Sequence, residues 1–351
     1  MNQLSRPLLG LQHLDELTVT VVVDNSTDSL SSIGPGVPEL PEIFFLLSSI
    51  PPRRQHDGHD CITVFDQMCV ACHGLSVLVT GQRGGEIRTA LFDVGPYGDV
   101  WLDNARRLGI DLAAIDTLFL SHWHWDHSGG IPAVVDAISE VRRSLGKRPL
   151  VVDLHPDRPD QRGIQLPGGP MVMLPEEPTV AAIEDAGAEV VTNAEAHLLG
   201  DGFFGSSGAI SRTTSYETGL PGHHSFYGDQ GIDDPLILDE RLVVANVRGR
   251  GITVLSACSH AGIVNACLEA QRLVPDTPVD LVLGGYHLAG SAVEDRISST
   301  VRDLAGLIQP RIVAPGHCTG WRANVALAEQ FAPDSFAPSV VGARYLLTTA
   351  S

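Results

Sequence analysis

The sequence lacks the long apolar runs that membrane insertion and secretion require. No stretch approaches the about 18 uncharged apolar residues of a spanning helix, and the apolar segment EIFFLLSSI covers only residues 42–50. The first residues contain no apolar run of signal-peptide length, so we expect a cytoplasmic protein. The six cysteines among 351 residues are too few for a disulfide framework, and that compartment would keep them reduced.

Positive charge is scarce as well. The chain has 23 lysines and arginines against 42 aspartates and glutamates, a formal charge of −19. This excess argues against general affinity for nucleic acid or for anionic membranes, and it leaves a small molecule as the expected partner. With 43% hydrophobic residues the chain can bury a sizeable core, which excludes disorder of the whole chain. No sequence feature specifies an oligomeric state.

Two common catalytic signatures are missing. No glycine-rich phosphate loop of the Walker or dinucleotide type follows a strand, and the sequence contains no G-x-S-x-G elbow. The chemistry must therefore come from other side chains.

Strands lead and strand–helix units follow in both halves of the chain. Strand patterns cover residues 17–23, 75–80, 88–93, 117–120, 150–154, 241–247, 251–257, 279–284 and 311–314. Helical patterns cover residues 98–108, 131–146, 179–186, 261–273, 292–307 and 321–330. This order predicts a layered α/β protein with helices outside packed sheets. We expect one domain over residues 1–351 with insertions near 27–60 and 200–235, the second a lid, and a loop over 155–180.

The most specific motif is a cluster of metal-ligand side chains, His122-Trp-His124-Trp-Asp126-His127, after a short apolar strand. His122 and His124 are two residues apart in extended chain, so both rings project to the same side. Asp126 and His127 lie in the turn into the next helix and can point back at the same space. Imidazole and carboxylate ligands suit zinc, manganese or iron, so the motif predicts a metal site.

Two further histidines follow buried strands. His260 comes after the strand at 251–257, and His317 comes after the strand at 311–314. Because α/β sites form at the carboxyl ends of strands, three such histidine sites in one chain favour metal ligation for each. Asp93 ends a hairpin strand and is expected to orient a metal-bound histidine rather than to bind metal.

Together these residues resemble the metallo-β-lactamase superfamily, whose signature is H-x-H-x-D-H after a strand. Other segments resemble one branch, named for a dihydropterin–ribofuranosylaminobenzene phosphate synthase, which also contains many bacterial metal-dependent hydrolases. These segments are Asp24-Asn25, His73-Gly-Leu-Ser, Asp93-Val-Gly, Cys258-Ser-His260-Ala-Gly, Tyr-His287-Leu and His317-Cys-Thr-Gly.

The resemblance implies an αββα sandwich with two divalent metal ions at one edge, zinc first and manganese or iron as alternatives. His122 and His124 would hold one ion, and Asp126, His127 and His317 the other; His260 is a further expected ligand. The usual bridging aspartate falls at residues 258–260, where this chain has none. The candidates for the third histidine of the first ion are His155, His223 and His224.

The resemblance also implies a function. We expect a metal-dependent hydrolase in which a water activated by two metal ions attacks a small, anionic ester, lactone or phosphoester. Asp126 would orient the nucleophile, and His287 would serve as general acid or oxyanion contact. The predicted substrate contacts are Asp24, Asn25, His73, His155 and Arg212. The alternative is a pterin-phosphate synthase-like transferase that releases pyrophosphate, although a glutamate of the branch is replaced by Ala209.

One motif competes with this interpretation. Cys69-Val-Ala-Cys72-His73 matches the C-x-x-C-H pattern of c-type haem attachment. Haem attachment requires export to an oxidising compartment, for which the sequence has no signal, so a haem or redox protein is the remote alternative. The two thiols could also form a redox pair or an extra metal site, or be structural.

Overall fold

The computed structural model describes residues 6–31, 54–63 and 65–350, with Asp66 described by its backbone alone. The insertion predicted near residues 27–60 therefore lies largely outside the described residues. Its described end forms a short two-stranded hairpin of Arg54–His56 and His59–Cys61.

The strands are β1 His13–Leu14, β2 Glu16–Val23, β3 Arg54–His56, β4 His59–Cys61, β5 Ser76–Arg83, β6 Glu86–Phe92, β7 Ile115–Phe119, β8 Val151–Leu154, β9 Gln161–Gln165, β10 Met171–Met173, β11 Glu189–Thr192, β12 Glu195–Leu199, β13 Phe204–Gly208, β14 His223–Tyr227, β15 Gln230–Asp233, β16 Val243–Val247, β17 Gly251–Ser256, β18 Val279–Gly285, β19 Ile312–Gly316 and β20 Arg344–Thr348. The α-helices among the described residues are α1 Gly98–Arg107, α2 Trp125–Ser128, α3 Ile131–Ser144, α4 Val180–Asp185, α5 Ile263–Leu273, α6 Ile297–Asp303 and α7 Trp321–Phe331.

Two seven-stranded sheets carry the architecture. The first has the order β11-β8-β7-β6-β5-β2-β20, and the second has the order β12-β13-β16-β17-β18-β19 with β1 beside β16. Strands β6, β7 and β8 are parallel in the first sheet, and β17, β18 and β19 are parallel in the second. The carboxyl ends of each parallel set therefore meet at one edge of their sheet.

Apolar side chains from both sheets form the central core. Leu17 and Val77 of the first sheet belong to the same buried cluster as Leu255, Leu281 and Leu283 of the second. This follows from the alternating pattern of the outer strands and the continuous apolar runs of the parallel ones.

The helices cover the two outer faces. Trp101 of α1 and Val135 of α3 pack in a buried cluster on the first sheet, whereas Ile263 of α5 and Leu327 of α7 pack on the second. Pro132 occupies the first turn of α3, where its missing N–H is not needed. The architecture is the predicted αββα sandwich.

Two loop predictions are wrong. Residues 155–180 contain β9 and β10, and residues 200–235 contain β13, β14 and β15. Strands β9, β10, β14 and β15 form a separate four-stranded antiparallel sheet, and β13 joins the second main sheet. These short strands carry glycine and polar residues, so they lack the apolar and β-branched runs from which strands are predicted.

The helix predicted over residues 292–307 is interrupted. It consists of a 3₁₀ turn at Glu294–Arg296, helix α6, and a π-helical turn at Leu304–Ile308. The sequence analysis also missed β20, whose exposed and buried residues alternate at the edge of the first sheet. Of the helices in the described part of the chain, none is both long and apolar enough to span a bilayer.

The core between the sheets generates a stability prediction. Leu281 is fully buried there, whereas Leu346 on β20 is 45% exposed. Leu281→Ala leaves a cavity that the two sheets cannot close, so we expect a loss of about 2–5 kcal/mol in the free energy of unfolding. Leu346→Ala, the matched control, should change it by less than about 0.5 kcal/mol. Denaturant titration of both variants measures the difference, and equal losses would contradict this account of the core.

Candidate metal centre

The ends of three parallel strands bring the predicted ligands together. His122 and His124 follow β7, His260 follows β17, and His317 follows β19. Asp126 and His127 lie in the single turn of helix α2. Because the two sheets face each other, the carboxyl ends of their parallel strands converge on one cavity.

Three ring nitrogens form the first cluster. His122 Nε2 lies 3.0 Å from His124 Nδ1, and His260 Nε2 lies 3.2 Å from the same His124 atom. Burial lowers the pKa of each of these histidines well below its usual range, so the rings are neutral at pH 7. The structure thus gives His260 the position of the third histidine in this cluster, in place of His155, His223 or His224.

Hydrogen bonds on the far sides of the His122 and His124 rings determine which nitrogen of each faces the cluster. The Ser121 hydroxyl donates to Asp93 Oδ2 at 2.7 Å, so it accepts from His122 Nδ1, which lies 2.8 Å away. His122 Nε2 therefore carries a lone pair. Asp93 also accepts from Ser121 N and bonds His127 Nδ1, which is the orienting role that the sequence predicts.

His223 orients His124 in the same way. Its Nδ1 lies 2.7 Å from the Asp234 carbonyl, which can only accept, so His223 Nε2 is an acceptor. That atom lies 2.9 Å from His124 Nε2, which must donate to it. His124 Nδ1 is then unprotonated and faces His122 Nε2. Converging lone pairs with no proton between them fit a cation, and this donor set is the one that zinc prefers.

The second cluster contains the carboxylate. Asp126 Oδ2 lies 3.2 Å from His317 Nε2 and 3.7 Å from His127 Nε2. Burial opposes protonation of His127, but Asp126 and Asp93 outweigh it and raise its pKa to about 9. A cation held by Asp126, His127 and His317 would take the place of that proton. His317 Nδ1 lies 3.2 Å from Asn25 Oδ1, which leaves Nε2 to face this cluster.

Cys258 stands between the two clusters. Its Sγ lies 3.2 Å from His127 Nε2 and 3.3 Å from His317 Nε2. Its Sγ also groups with ring nitrogens of His122 and His260, all within 4.8 Å of one another. Cys258 is not among the ligands predicted from sequence, although the missing bridging aspartate at residues 258–260 is the signal that indicates it.

Some predicted substrate contacts have other roles. Asp24 is 1% exposed, and its carboxylate accepts from His317 N at 2.9 Å and from Ser339 Oγ at 2.7 Å. It therefore fixes the His317 backbone from a buried position, and its contact with substrate remains a prediction. Asn25 Nδ2 bonds His73 Nδ1 and the His317 carbonyl, so Asn25 positions both rings.

His155 and Arg212 lie outside the cavity wall. His155 Nδ1 accepts from Asp157 N, and its carbonyl accepts from Trp123 Nε1. Arg212 bonds the carbonyls of Leu236 and His260. Neither residue lines the cavity that the ligands share, and the substrate contacts expected of His155 and Arg212 remain predictions.

His73 and His287 do line the cavity. His73 Nε2 lies 3.4 Å from Asp126 Oδ2, and the His73 side chain is 66% exposed. His287 packs against His260 with ring centroids 4.4 Å apart. Burial lowers the pKa of His287 to about 4, so its ring is neutral at pH 7.

Cys69 and Cys72 do not share this cavity wall. Both are half-buried, and burial raises each thiol pKa to about 11. Thiols of this kind are unreactive. Only His73 of the C-x-x-C-H motif faces the cavity.

Three consecutive buried residues, Asp239, Glu240 and Arg241, lie just before β16 and hold the ligand loops. We call them the 239–241 clamp. Asp239 accepts from Trp123 N at 2.8 Å, between the two histidines of the motif. Glu240 accepts from His260 N at 2.7 Å. Arg241 donates to the Leu120 carbonyl at 2.7 Å. No sequence pattern indicated this role, because the Asp239 and Arg241 contacts join residues that are 116 and 121 positions apart.

Glu177 is a buried carboxyl beside the second cluster. It accepts from Ser128 Oγ, next to His127, and its Oε1 has no hydrogen-bond partner among the described residues. Burial raises its pKa to about 7. The folded protein therefore keeps a proton that the unfolded chain releases near pH 4.5.

This raised pKa predicts a pH dependence. The contribution of Glu177 to stability is complete below pH 4.5 and is lost as the pH rises through about 7. Glu177→Gln cannot ionise, so its stability relative to wild type should rise by up to about 3 kcal/mol between pH 4.5 and pH 8. Denaturant titrations of both proteins across this range measure the change. A constant difference would show that Glu177 titrates normally.

The His124–His223 contact predicts an effect on metal affinity. His223→Leu removes the acceptor for His124 Nε2–H and frees the ring to present the wrong nitrogen. We expect metal affinity about 10–100-fold lower, measured by competition with a chromophoric chelator. His224→Leu is the matched control, because the one hydrogen bond of the His224 ring to a described residue is to the Gly222 carbonyl. Equal affinities in the two variants would contradict the orienting role.

An αββα sandwich with two clusters of metal-ligand side chains at one edge is typical of one class of metal-binding proteins. A family model of the Metallo-beta-lactamase superfamily matches residues 70–284, more than half of the chain. The chain therefore belongs to the metallo-β-lactamase superfamily.

Particular relatives are similar over most of their length. A 7,8-dihydropterin-6-methyl-4-(beta-D-ribofuranosyl)-aminobenzene-5'-phosphate synthase of Methanocaldococcus jannaschii is 28% identical over 75% of this chain and 86% of its own length. An uncharacterized protein of the same organism is 25% identical over 74% and 88%. These matches support the branch that the sequence motifs indicate.

Solved structures agree on the fold. Tm1679, described as a metal-dependent hydrolase of the beta-lactamase superfamily, superposes with a TM-score of 0.65 at 21% identity, over 95% of this chain and 99% of that one. The metallo-beta-lactamase fold protein YhfI from Bacillus subtilis gives a TM-score of 0.50 at 12% identity, over 95% and 100%.

Proposed function

We propose that this protein is a metal-dependent hydrolase that uses two divalent ions, zinc first, on a small anionic ester, lactone or phosphoester. The observation that carries the proposal is the pair of ligand clusters on one cavity. His122, His124 and His260 would hold one ion, and Asp126, His127 and His317 the other. When bound, such ions polarise the substrate and lower the pKa of water.

The chain's own residues do the positioning. The Asp126 carboxylate contacts the rings of His73 and His317. It can accept a hydrogen bond from the attacking water and so orient that water. The neutral ring of His287 lies in the cavity wall and can contact the developing oxyanion. Its pKa of about 4 argues against the general-acid role at pH 7.

The cavity fits a small substrate. Its volume is about 300 Å³, at the lower end for ligand pockets. Within the described part of the chain, neither lysine nor arginine lines it. The positive charge that attracts an anionic substrate would therefore come from the bound cations themselves.

The second candidate is a synthase-like transferase that releases pyrophosphate from a pterin substrate. The 28% identity to the Methanocaldococcus enzyme favours it. Two large anions would need basic side chains along the cavity, and the described wall has none. The small cavity therefore favours the hydrolase.

The first experiment measures metal and activity together. Gently purified protein should contain about two equivalents of metal per chain by inductively coupled plasma mass spectrometry. His122→Ala and His124→Ala should lower the metal content and abolish turnover while the circular dichroism spectrum is kept. His56→Ala, at an exposed histidine, should change neither.

Substrate screening separates the two candidates. The hydrolase should turn over phosphodiesters, esters or lactones without a pterin, whereas the transferase should release pyrophosphate only from a pterin diphosphate. Turnover that persists in His122→Ala would contradict both the hydrolase and the transferase. Protein that binds no metal after reconstitution would show that the clusters are structural.

A further inference from the structure

We propose that the Cys258 thiolate bridges the two metal ions, and that this bridge makes the centre prefer thiophilic divalent cations. The inference rests on the proposed dinuclear site and deepens it. It assigns a ligand to each ion and predicts which metals the protein selects.

The position of the sulfur is the first argument. Cys258 Sγ belongs to both groups of converging ligand atoms, one with Asp126, His127 and His317 and one with His122 and His260. One residue, Ala257, separates Cys258 from the end of strand β17, and Cys258 is 3% exposed. Within the described residues, Cys258 is the one side chain that belongs to both groups.

The charge of the centre is the second argument. Two divalent cations bring four positive charges into a site that water barely reaches, and buried charge must be compensated. Asp126 is the one carboxylate of the described cavity wall. Asp93 is fully buried behind the rings, where it bonds Ser121 and His127. A thiolate at Cys258 supplies the missing anion, and its proton leaves to solvent when the metal binds.

The other cysteines show what a structural thiol looks like here. Cys267 lies in helix α5 within the apolar cluster on the second sheet, with no metal-ligand grouping among the described residues. Cys318 lines the cavity, but its Sγ donates to the Cys258 carbonyl at 3.4 Å. Neither is placed to bridge, and both serve as matched controls.

A sulfur bridge has a chemical consequence. Thiolate is a soft ligand that selects zinc, iron or cobalt, whereas manganese and magnesium favour oxygen. Replacing Cys258 by aspartate restores an anionic oxygen without the soft donor. The ratio of zinc to manganese affinity should therefore fall by about tenfold or more in Cys258→Asp.

The decisive experiment is cobalt(II) reconstitution of the full-length protein. Wild type should show a thiolate-to-cobalt charge-transfer band in the near ultraviolet. The band should vanish in Cys258→Ala and Cys258→Asp and persist in Cys318→Ala and Cys267→Ala. Cobalt content is measured on the same samples, and Cys258→Asp should retain both ions. It also serves where the alanine variant fails to fold.

The outcomes separate the two proposals. Wild type that binds two cobalt ions without the band, or a band that survives Cys258→Ala, would overturn the bridge and leave the proposed hydrolase intact. A band lost only in Cys318→Ala would assign the sulfur ligand to Cys318 instead. Wild type that binds no cobalt would overturn both.

Discussion

Neutral imidazole nitrogens that face one another at 3.0–3.2 Å in a buried cavity are the constraint on which this structure depends. Lone pairs at that distance repel unless a cation or a proton lies between them, and burial removes the water that could separate them. Three of the rings, those of His122, His124 and His317, are held by hydrogen bonds on their far sides. Ser121 with Asp93, His223 with the Asp234 carbonyl, and Asn25 all fix which nitrogen faces inward.

The sandwich makes this arrangement rigid. The motif loop follows β7 of the first sheet, whereas His260 follows β17 of the second sheet and the 239–241 clamp precedes β16 of the same sheet. Asp239 and Arg241 bond the backbone on either side of His122, and Glu240 bonds the backbone of His260. These are charge-assisted bonds to backbone groups in a low dielectric, which makes them strong and costly to break. The clamp thus couples the spacing of the two sheets to the spacing of the ligands.

The local part of this site was predictable from sequence, and the long-range part was not. The spacing of His122, His124 and His127 and the strand-end positions of His260 and His317 indicate ligands directly. The sequence also implied the layers, because helix and strand periodicities are local. Which cluster His260 joins depends on how two sheets face each other across 136 residues. The same holds for the clamp, for His223 on a strand predicted as loop, and for Asp24 behind His317.

The absent aspartate at residues 258–260 shows how a departure from a family pattern can carry chemistry. An empty bridging position would leave two cations facing one carboxylate, which desolvation makes unfavourable. Cys258 lies where that charge is needed, because its Sγ belongs to both groups of converging ligand atoms. The proposed centre would thus keep its histidine ligands while its donor set becomes softer. The choice of metal, rather than the fold or the histidines, is then the property in which this chain should differ most from relatives that bridge with oxygen.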